Sequence, residues 1–270
     1  MQLSHTPSAT DLAFWLDAAR RAAAEAAAFI EERSRSRHEI VWMEKAATDF
    51  VSAVDIGAEE RIRASLLASI PELRIVGEEL GPNGDTGSGL TAIVDPLDGT
   101  SNFLHGYPSY CVSIGIAIDG VPVVGVVNDV ARGGEYTATA GGGAFVDGVP
   151  MRVSTTSRTT RALVGTGFPF KSEEGVRQYL GQLERLIPQV SGMRRCGAAA
   201  LDLCDLARGR FDAFWEMSLA PWDVAAGILL VREAGGIVTD MDGNPAPIKF
   251  GPIIASNAVL HEWFLGMLQG

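Results

Sequence analysis

Leu12, Leu16, Ala19, Ala23, Ala26, Ala27 and Ile30 recur at three- and four-residue steps, the period that stacks side chains on one face of a helix. Thr10 and Asp11, just ahead, are residue types that cap helix starts. The pattern predicts an amphipathic helix from Thr10 to Arg33. A second helix begins near Asp55, carries Ile56, Ile62, Leu66 and Ile70, and is stopped by Pro71.

The texture then changes to short apolar runs at 73–76, 90–94, 110–118 and 121–128, cut by Gly, Asp and Pro, which predict strands. Asp119-Gly120 and Asp147-Gly148 between such runs favour tight hairpin turns with positive φ. The middle of the chain therefore predicts an antiparallel meander.

Beyond about residue 155 helices and strands interleave: apolar 162–166, helix 173–187, helix 198–207, apolar 211–216, helix 221–234, apolar 236–239 and 252–255, and a final helix. Residues 81–89, Gly-Pro-Asn-Gly-Asp-Thr-Gly-Ser-Gly, form the one flexible-looking loop, and no long linker separates the halves. Any two lobes are expected to pack directly together.

A chain of 270 residues with 47% hydrophobic and 20% charged residues lies far from the composition of unfolded chains. At this length roughly three quarters of the unfolded surface can be buried. The 33 acids against 22 bases give a net charge of −11. That excess argues against a protein that works by neutralising nucleic-acid phosphates or an anionic membrane. Cys111, Cys196 and Cys204 are odd in number and widely spread, which fits a reducing cytoplasm. No window has the length of apolar sequence that a membrane span requires.

The chemistry concentrates in Ala92-Ile-Val-Asp95-Pro96-Leu97-Asp98-Gly99-Thr100-Ser101-Asn102-Phe103, where an apolar strand runs into two carboxylates. Pro96 fixes φ and Gly99 permits close backbone approach, so Asp95 and Asp98 can converge. Convergent anions with no His or Cys partner favour a hard divalent cation such as Mg²⁺, Mn²⁺ or Ca²⁺. Gly77-Glu78-Glu79 ends another apolar run, and Trp222-Asp223-Val224-Ala225-Ala226-Gly227 opens an apolar helix. Taken singly, adjacent glutamates read as a solvated edge and Asp223 as a residue complementing the helix dipole.

Together these motifs, in this order and with Lys45 to Asp55 upstream, resemble the inositol monophosphatase family over about residues 12–265. The resemblance implies a layered α/β fold, a five-layered α-β-α-β-α sandwich of the sugar-phosphatase type. It implies a lobe at 1–155 carrying the metal motifs and a smaller α/β lobe at 156–270 supplying Asp223 and the substrate pocket. Carried over by position, Glu78, Asp95 and the Leu97 carbonyl hold one Mg²⁺, and Asp95, Asp98 and Asp223 hold a second. A third ion is expected near Glu78, with Glu79 in support. Asp49 and Thr100 match the pair that orients the attacking water, and Glu78 joins them in the catalytic set. Gly99 and Thr100 N–H groups, with Asp98 beside them, face the phosphate, while Gly197, Ala198, Ala199 and Glu216 line the polyol pocket. Trp215 and Trp222 are expected to pack the wall of the site.

The implied activity is Mg²⁺-dependent hydrolysis of inositol 1-phosphate or a similar small polyol phosphate by in-line attack of an activated water. Histidinol phosphate and fructose 1,6-bisphosphate are the rival substrates on the same site. The resemblance also implies lithium sensitivity and a homodimer, while the cysteines and the acidic charge give the expectation of a cytoplasmic protein with no direct nucleic-acid or membrane partner. A different class, a regulatory protein that keeps the fold and docks to a partner such as a ribonucleoprotein assembly, has thin support in the basic pairs Arg194-Arg195 and Arg208-Gly-Arg210.

Overall fold

The computed structural model describes residues 6–46, 49–83, 89–170 and 173–270, the side chains of residues 44–46, 49, 50 and 173 excepted. The Gly-rich segment 81–89 therefore lies partly outside the described residues, and so do the side chains of Lys45 and Asp49.

The chain opens with α1 (Ala9–Ser34), the antiparallel ribbon β1 (Met43–Ala46) and β2 (Asp49–Val51), and α2 (Ala53–Ser69). Strands β3 (Arg74–Gly77), β4 (Gly81–Pro82) and β5 (Leu90–Asp98) lead into the short α3 (Thr100–His105). The meander is β6 (Cys111–Ile118), β7 (Val121–Asp129), β8 (Glu135–Thr139), β9 (Gly143–Val146) and β10 (Val149–Pro150). The interleaved part follows as β11 (Leu163–Thr166), α4 (Glu173–Leu186), β12 (Gly192–Arg194), α5 (Ala199–Ala207), β13 (Ala213–Leu219), α6 (Pro221–Glu233), β14 (Gly236–Thr239), β15 (Gly251–Asn257) and α7 (His261–Gln269).

Local chemistry accounts for the starts of the two leading helices. Ser8, not Thr10, caps α1, its hydroxyl accepting the Asp11 N–H while the Asp11 carboxylate takes the Ser8 N–H. Ser52 and Asp55 repeat the same reciprocal box at the start of α2. The α1 stripe is built from Ala18, Ala19, Ala22, Ala23, Ala26 and Ala27 ending in Ile30, all buried, so the helix lies close against its neighbours. Both Asp-Gly turns take the expected form, with positive φ at Asp119, Gly120, Asp147 and Gly148.

Among the described residues the large sheet runs β10-β9-β8-β7-β6-β5-β3-β4 and the small one β12-β11-β13-β15-β14. The meander is antiparallel from β5 to β10, whereas β3 joins β5 in parallel. Helices α1 and α2 cover one face of the large sheet. Helices α5 and α6 fill the space between the sheets, α6 touching β5 to β9 on one side and β14 on the other. Helices α4 and α7 close the far face of the small sheet over Val164, Ala213, Trp215 and Ile254. The result is the α-β-α-β-α sandwich.

The middle apolar cluster joins Cys111, Val127 and Tyr136 from the first half to Leu203, Ala226 and Leu230 from the second. A single core thus runs across residue 155, and Asn257 reaches back to hydrogen-bond Ser154 at 2.8 Å.

Candidate active site

Asp95 and Asp98 are three residues apart on β5, a spacing that in a regular strand points side chains to opposite faces. The pairing with β6 resolves this. Asp95 stands opposite Ser113 but Asp98 opposite Cys111, so one extra residue is inserted between them. This bulge brings both carboxylates to one side. Pro96 lacks the N–H that a regular ladder would need, and the Leu97 N–H instead donates to Asp95 Oδ1 at 3.0 Å. Gly99 follows with φ +89°, where a Cβ would sit 2.7 Å from the Ser109 carbonyl oxygen.

The other acids arrive from separate elements. Glu78 leaves β3 directly beside β5, its N–H donating to the Val94 carbonyl at 3.2 Å. Asp223 lies in the first turn of α6 and accepts the Ala220 N–H at 2.7 Å. Asp95 is pushed well above the usual carboxylate range by burial and by the charges of Glu78, Asp98 and Asp223. Asp98 rises to about 7 through burial and Glu78, held back by N–H donors of Ala200 and Ala199. Burial and Asp98 raise Asp223. Mutual repulsion of this kind identifies one electrostatic cluster formed from β3, β5 and α6.

The expected pocket residues join it from the second half. Gly197 has φ +85°, and Ala198, which offers no side-chain cap, precedes α5. The missing cap is supplied by Asp98, whose Oδ2 accepts the Ala200 N–H at 2.8 Å. Asn102 of α3 donates to the carbonyls of Ser109 and Cys196 at 2.7 and 2.9 Å, fixing the loop before α5. Glu216 of β13 is raised to about 8 by burial and by Asp98, with Arg195 pulling the other way. It lies against the backbone of Gly167, where a Cβ would be 2.0 Å from Glu216 Oε2.

The Thr100 hydroxyl is placed against Asp55, 2.8 Å from Oδ1, and also lies 3.0 Å from the Leu97 carbonyl. Asp55, 1% exposed, is held by the Ser52 N–H and hydroxyl at 2.8 and 2.7 Å. Its carboxyl is raised by burial against the opposing pull of these bonds. Asp49, the partner expected for Thr100, sits on β2 with its side chain outside the described residues. Asp55, which the sequence reading did not name as a site residue, is a partner of Thr100. Its signal was the Ser52-x-x-Asp55 box that anchors it in the first turn of α2.

One further expectation is corrected. Trp215 is fully buried, stacked on Tyr179 at 5.4 Å beneath α4, because strand alternation sends it to the face opposite Glu216. Trp222 packs edge-on to Phe250 beside Ile93, Ala117 and Ala225. Cys196, next to the pocket, is pushed up to about 12 by burial and Asp202, which disfavours the thiolate.

Among the described residues no three His, Cys, Asp or Glu side chains already close around one point. The donor chemistry nevertheless fits a hard divalent cation: Glu78, Asp95, Asp98 and Asp223 offer only oxygen, and burial and one another's charge raise Asp95, Asp98 and Asp223.

Alternating layers around this acid cluster define an α+β phosphatase-type fold. The chain belongs to the inositol monophosphatase family, whose profile matches residues 11–269. It is 42% identical over 259 residues to the Nus factor SuhB of Pseudomonas aeruginosa, covering 94% of this chain and 95% of that one. It is 43% identical over 213 residues to the inositol-1-monophosphatase of Rhizobium meliloti, covering 79% and 80%. Among solved structures, the inositol monophosphatase of Anabaena superimposes with a TM-score of 0.85 at 36% identity, covering 95% of this chain and 96% of that one. The extragenic suppressor protein suhB of Bartonella henselae gives 0.90 at 38% identity, covering 94% and 97%.

Proposed function

We propose that the protein is a Mg²⁺-dependent phosphomonoesterase that hydrolyses inositol 1-phosphate, or a similar small polyol phosphate, to the polyol and inorganic phosphate. The observation that carries this reading is the bulge that brings Asp95 and Asp98 to one side, with the charges of Glu78 and Asp223 raising Asp95 and Thr100, at the end of the same strand, bonded to Asp55. Glu78, Asp95, Asp98, Asp223 and the Leu97 carbonyl would hold two or three ions, with Glu79 in support. Bound Mg²⁺ supplies charge to the phosphate oxygens and makes a water more acidic.

The chain's own residues do the positioning. Thr100 gives its hydroxyl hydrogen to Asp55, which leaves its oxygen lone pairs to accept from a water and aim it in line with the phosphorus. In this reading Asp55 supports Thr100 alongside the role expected of Asp49. The N–H groups of Gly99 and Thr100, in a first helical turn without intrahelical acceptors, donate to the phosphate. Glu216 accepts hydrogen bonds from ring hydroxyls in a pocket walled by Gly197, Ala198 and Ala199.

Phosphate release from inositol 1-phosphate, histidinol phosphate, fructose 1,6-bisphosphate and 3′-phosphoadenosine 5′-phosphate, with Mg²⁺, EDTA or Li⁺, tests this directly. Highest kcat/KM for inositol 1-phosphate, loss with EDTA and inhibition by Li⁺ are expected; equal or greater turnover of histidinol phosphate would refute the inositol assignment. A homodimer and a cytoplasmic location complete the proposal, and light scattering of the purified protein checks the first. No helix among the described residues is long and apolar enough to cross a membrane.

A second reading is favoured by the relatives named Nus factor SuhB, at 40% identity or more. It is a docking role that needs no turnover. A cell phenotype fully restored by the catalytically dead Asp95→Asn protein would select it.

A further inference from the structure

Helix α2 carries two buried carboxylates one turn apart, Asp55 and Glu59, exposed by 1% and 0%. At i and i+4 they share a face, about 6 Å apart along the axis. Asp55 serves Thr100. Glu59 has no part in the chemistry above, yet it is fully enclosed.

Its surroundings are specific. Glu59 Oε2 accepts the Glu79 N–H at 2.7 Å and Oε1 accepts the Leu80 N–H at 3.2 Å. Arg63, one turn further along α2, donates from Nε to Oε1 at 2.8 Å and also reaches the Gly81 carbonyl. Gly77 fits only because it has no side chain: a Cβ there would lie 2.0 Å from Glu59 Oε1. The segment 77–81 is therefore wrapped around one carboxylate, and Glu78 is inside that segment.

A buried ion pair is weak support for stability, since apolar side chains of the same volume often do as well. What Glu59 and Arg63 add is direction: two backbone N–H donors and one carbonyl of the turn are fixed to α2. We propose that Glu59 is a positioning residue for Glu78, locking the Gly77–Gly81 turn so that the Glu78 carboxylate faces Asp95. Because Asp55 and Glu59 sit on one rigid turn, α2 sets the spacing between the metal-holding acids and the water-aiming hydroxyl. The inference rests on the phosphatase reading and assigns that same site a supporting helix.

The test uses full-length protein and Mn²⁺ as the probe ion, with free Mn²⁺ measured by electron paramagnetic resonance, alongside kcat at saturating Mg²⁺ and the metal-free melting temperature. Glu59→Gln keeps the volume but turns an NH₂ group toward N–H donors. It is expected to weaken Mn²⁺ binding at least tenfold while kcat at saturating Mg²⁺ falls less than fivefold. Arg63→Gln, which leaves the carboxylate and removes its clamp, is expected to shift binding in the same direction by a smaller factor. It also decides the matter should Glu59→Gln not fold. A lower melting temperature with unchanged Mn²⁺ affinity means a purely structural role and overturns the inference. Wild-type protein that binds no Mn²⁺ refutes the phosphatase reading and this inference with it.

Discussion

Thr100 Oγ1 and Asp55 Oδ1 lie 2.8 Å apart, joining the first turn of α3 to the first turn of α2 across 45 residues of sequence. If this pair acts as one unit, Thr100→Val and Asp55→Ala should each lower kcat by about 10²–10⁴, the range for a positioned proton-handling group. The double variant should be no worse than the weaker single one, because residues acting together are not additive. Steady-state kinetics of the three variants checks this, with additive losses as the contrary result.

The raised carboxyls make the metal-free protein sensitive to pH. Asp98 at about 7 and Glu216 at about 8 stay protonated in the folded chain, while in the unfolded chain they ionise near their ordinary values. Between those limits the folded state binds more protons, so stability is greatest in acid and falls as pH rises from about 4 to about 8. Melting of EDTA-treated protein across this range should show the decline. Mg²⁺, which needs ionised ligands, should raise the melting temperature more at pH 8 than at pH 5.

Gly167 and Glu216 are in direct contact, and a Cβ at Gly167 would displace the carboxylate. Gly167→Ala should cost about 0.5–1.5 kcal/mol of polyol recognition, the net worth of a neutral hydrogen bond. The loss should appear in kcat/KM for inositol 1-phosphate and be small for p-nitrophenyl phosphate, which has no ring hydroxyls. Equal losses on both substrates would place Glu216 outside recognition.

Asp223 both caps α6 and completes the acid cluster. Asp223→Asn keeps an acceptor for the Ala220 N–H and removes a disfavoured buried charge, so stability should change by less than about 1 kcal/mol while hydrolysis drops by orders of magnitude. Thermal melts and phosphate release on the same sample separate the two effects.

Much of this was legible in the chain. The α1 stripe, the two Asp-Gly turns and the alternation after residue 155 are local patterns, and the acid motifs announce themselves by residue type. What was hidden depends on contacts distant in sequence. Glu59 and Arg63 at i, i+4 look like an ordinary solvated helix pair, and only the arrival of Gly77 to Gly81 from another element buries them. Trp215 was placed beside the site by adjacency to Glu216, although strand alternation already puts neighbours on opposite faces. Asp55 lies six residues beyond Asp49 in the same short segment, and its contact with Thr100, 45 residues away, appears only in the fold.

The bulge between Asp95 and Asp98 has a consequence for how this stretch tolerates change. The extra residue lets two carboxylates three positions apart share one side while placing an additional backbone unit between them. Leu97 contributes its backbone, so other apolar residues there should preserve function. Removing Leu97 would leave the two carboxylates two residues apart and still on one face of a regular strand, but it would take away the backbone N–H that holds Asp95 Oδ1 and the carbonyl 3.0 Å from the Thr100 hydroxyl. A deletion scan and a substitution scan of the same four residues should therefore give opposite pictures at Leu97, length being the inherited quantity and side-chain identity the negotiable one.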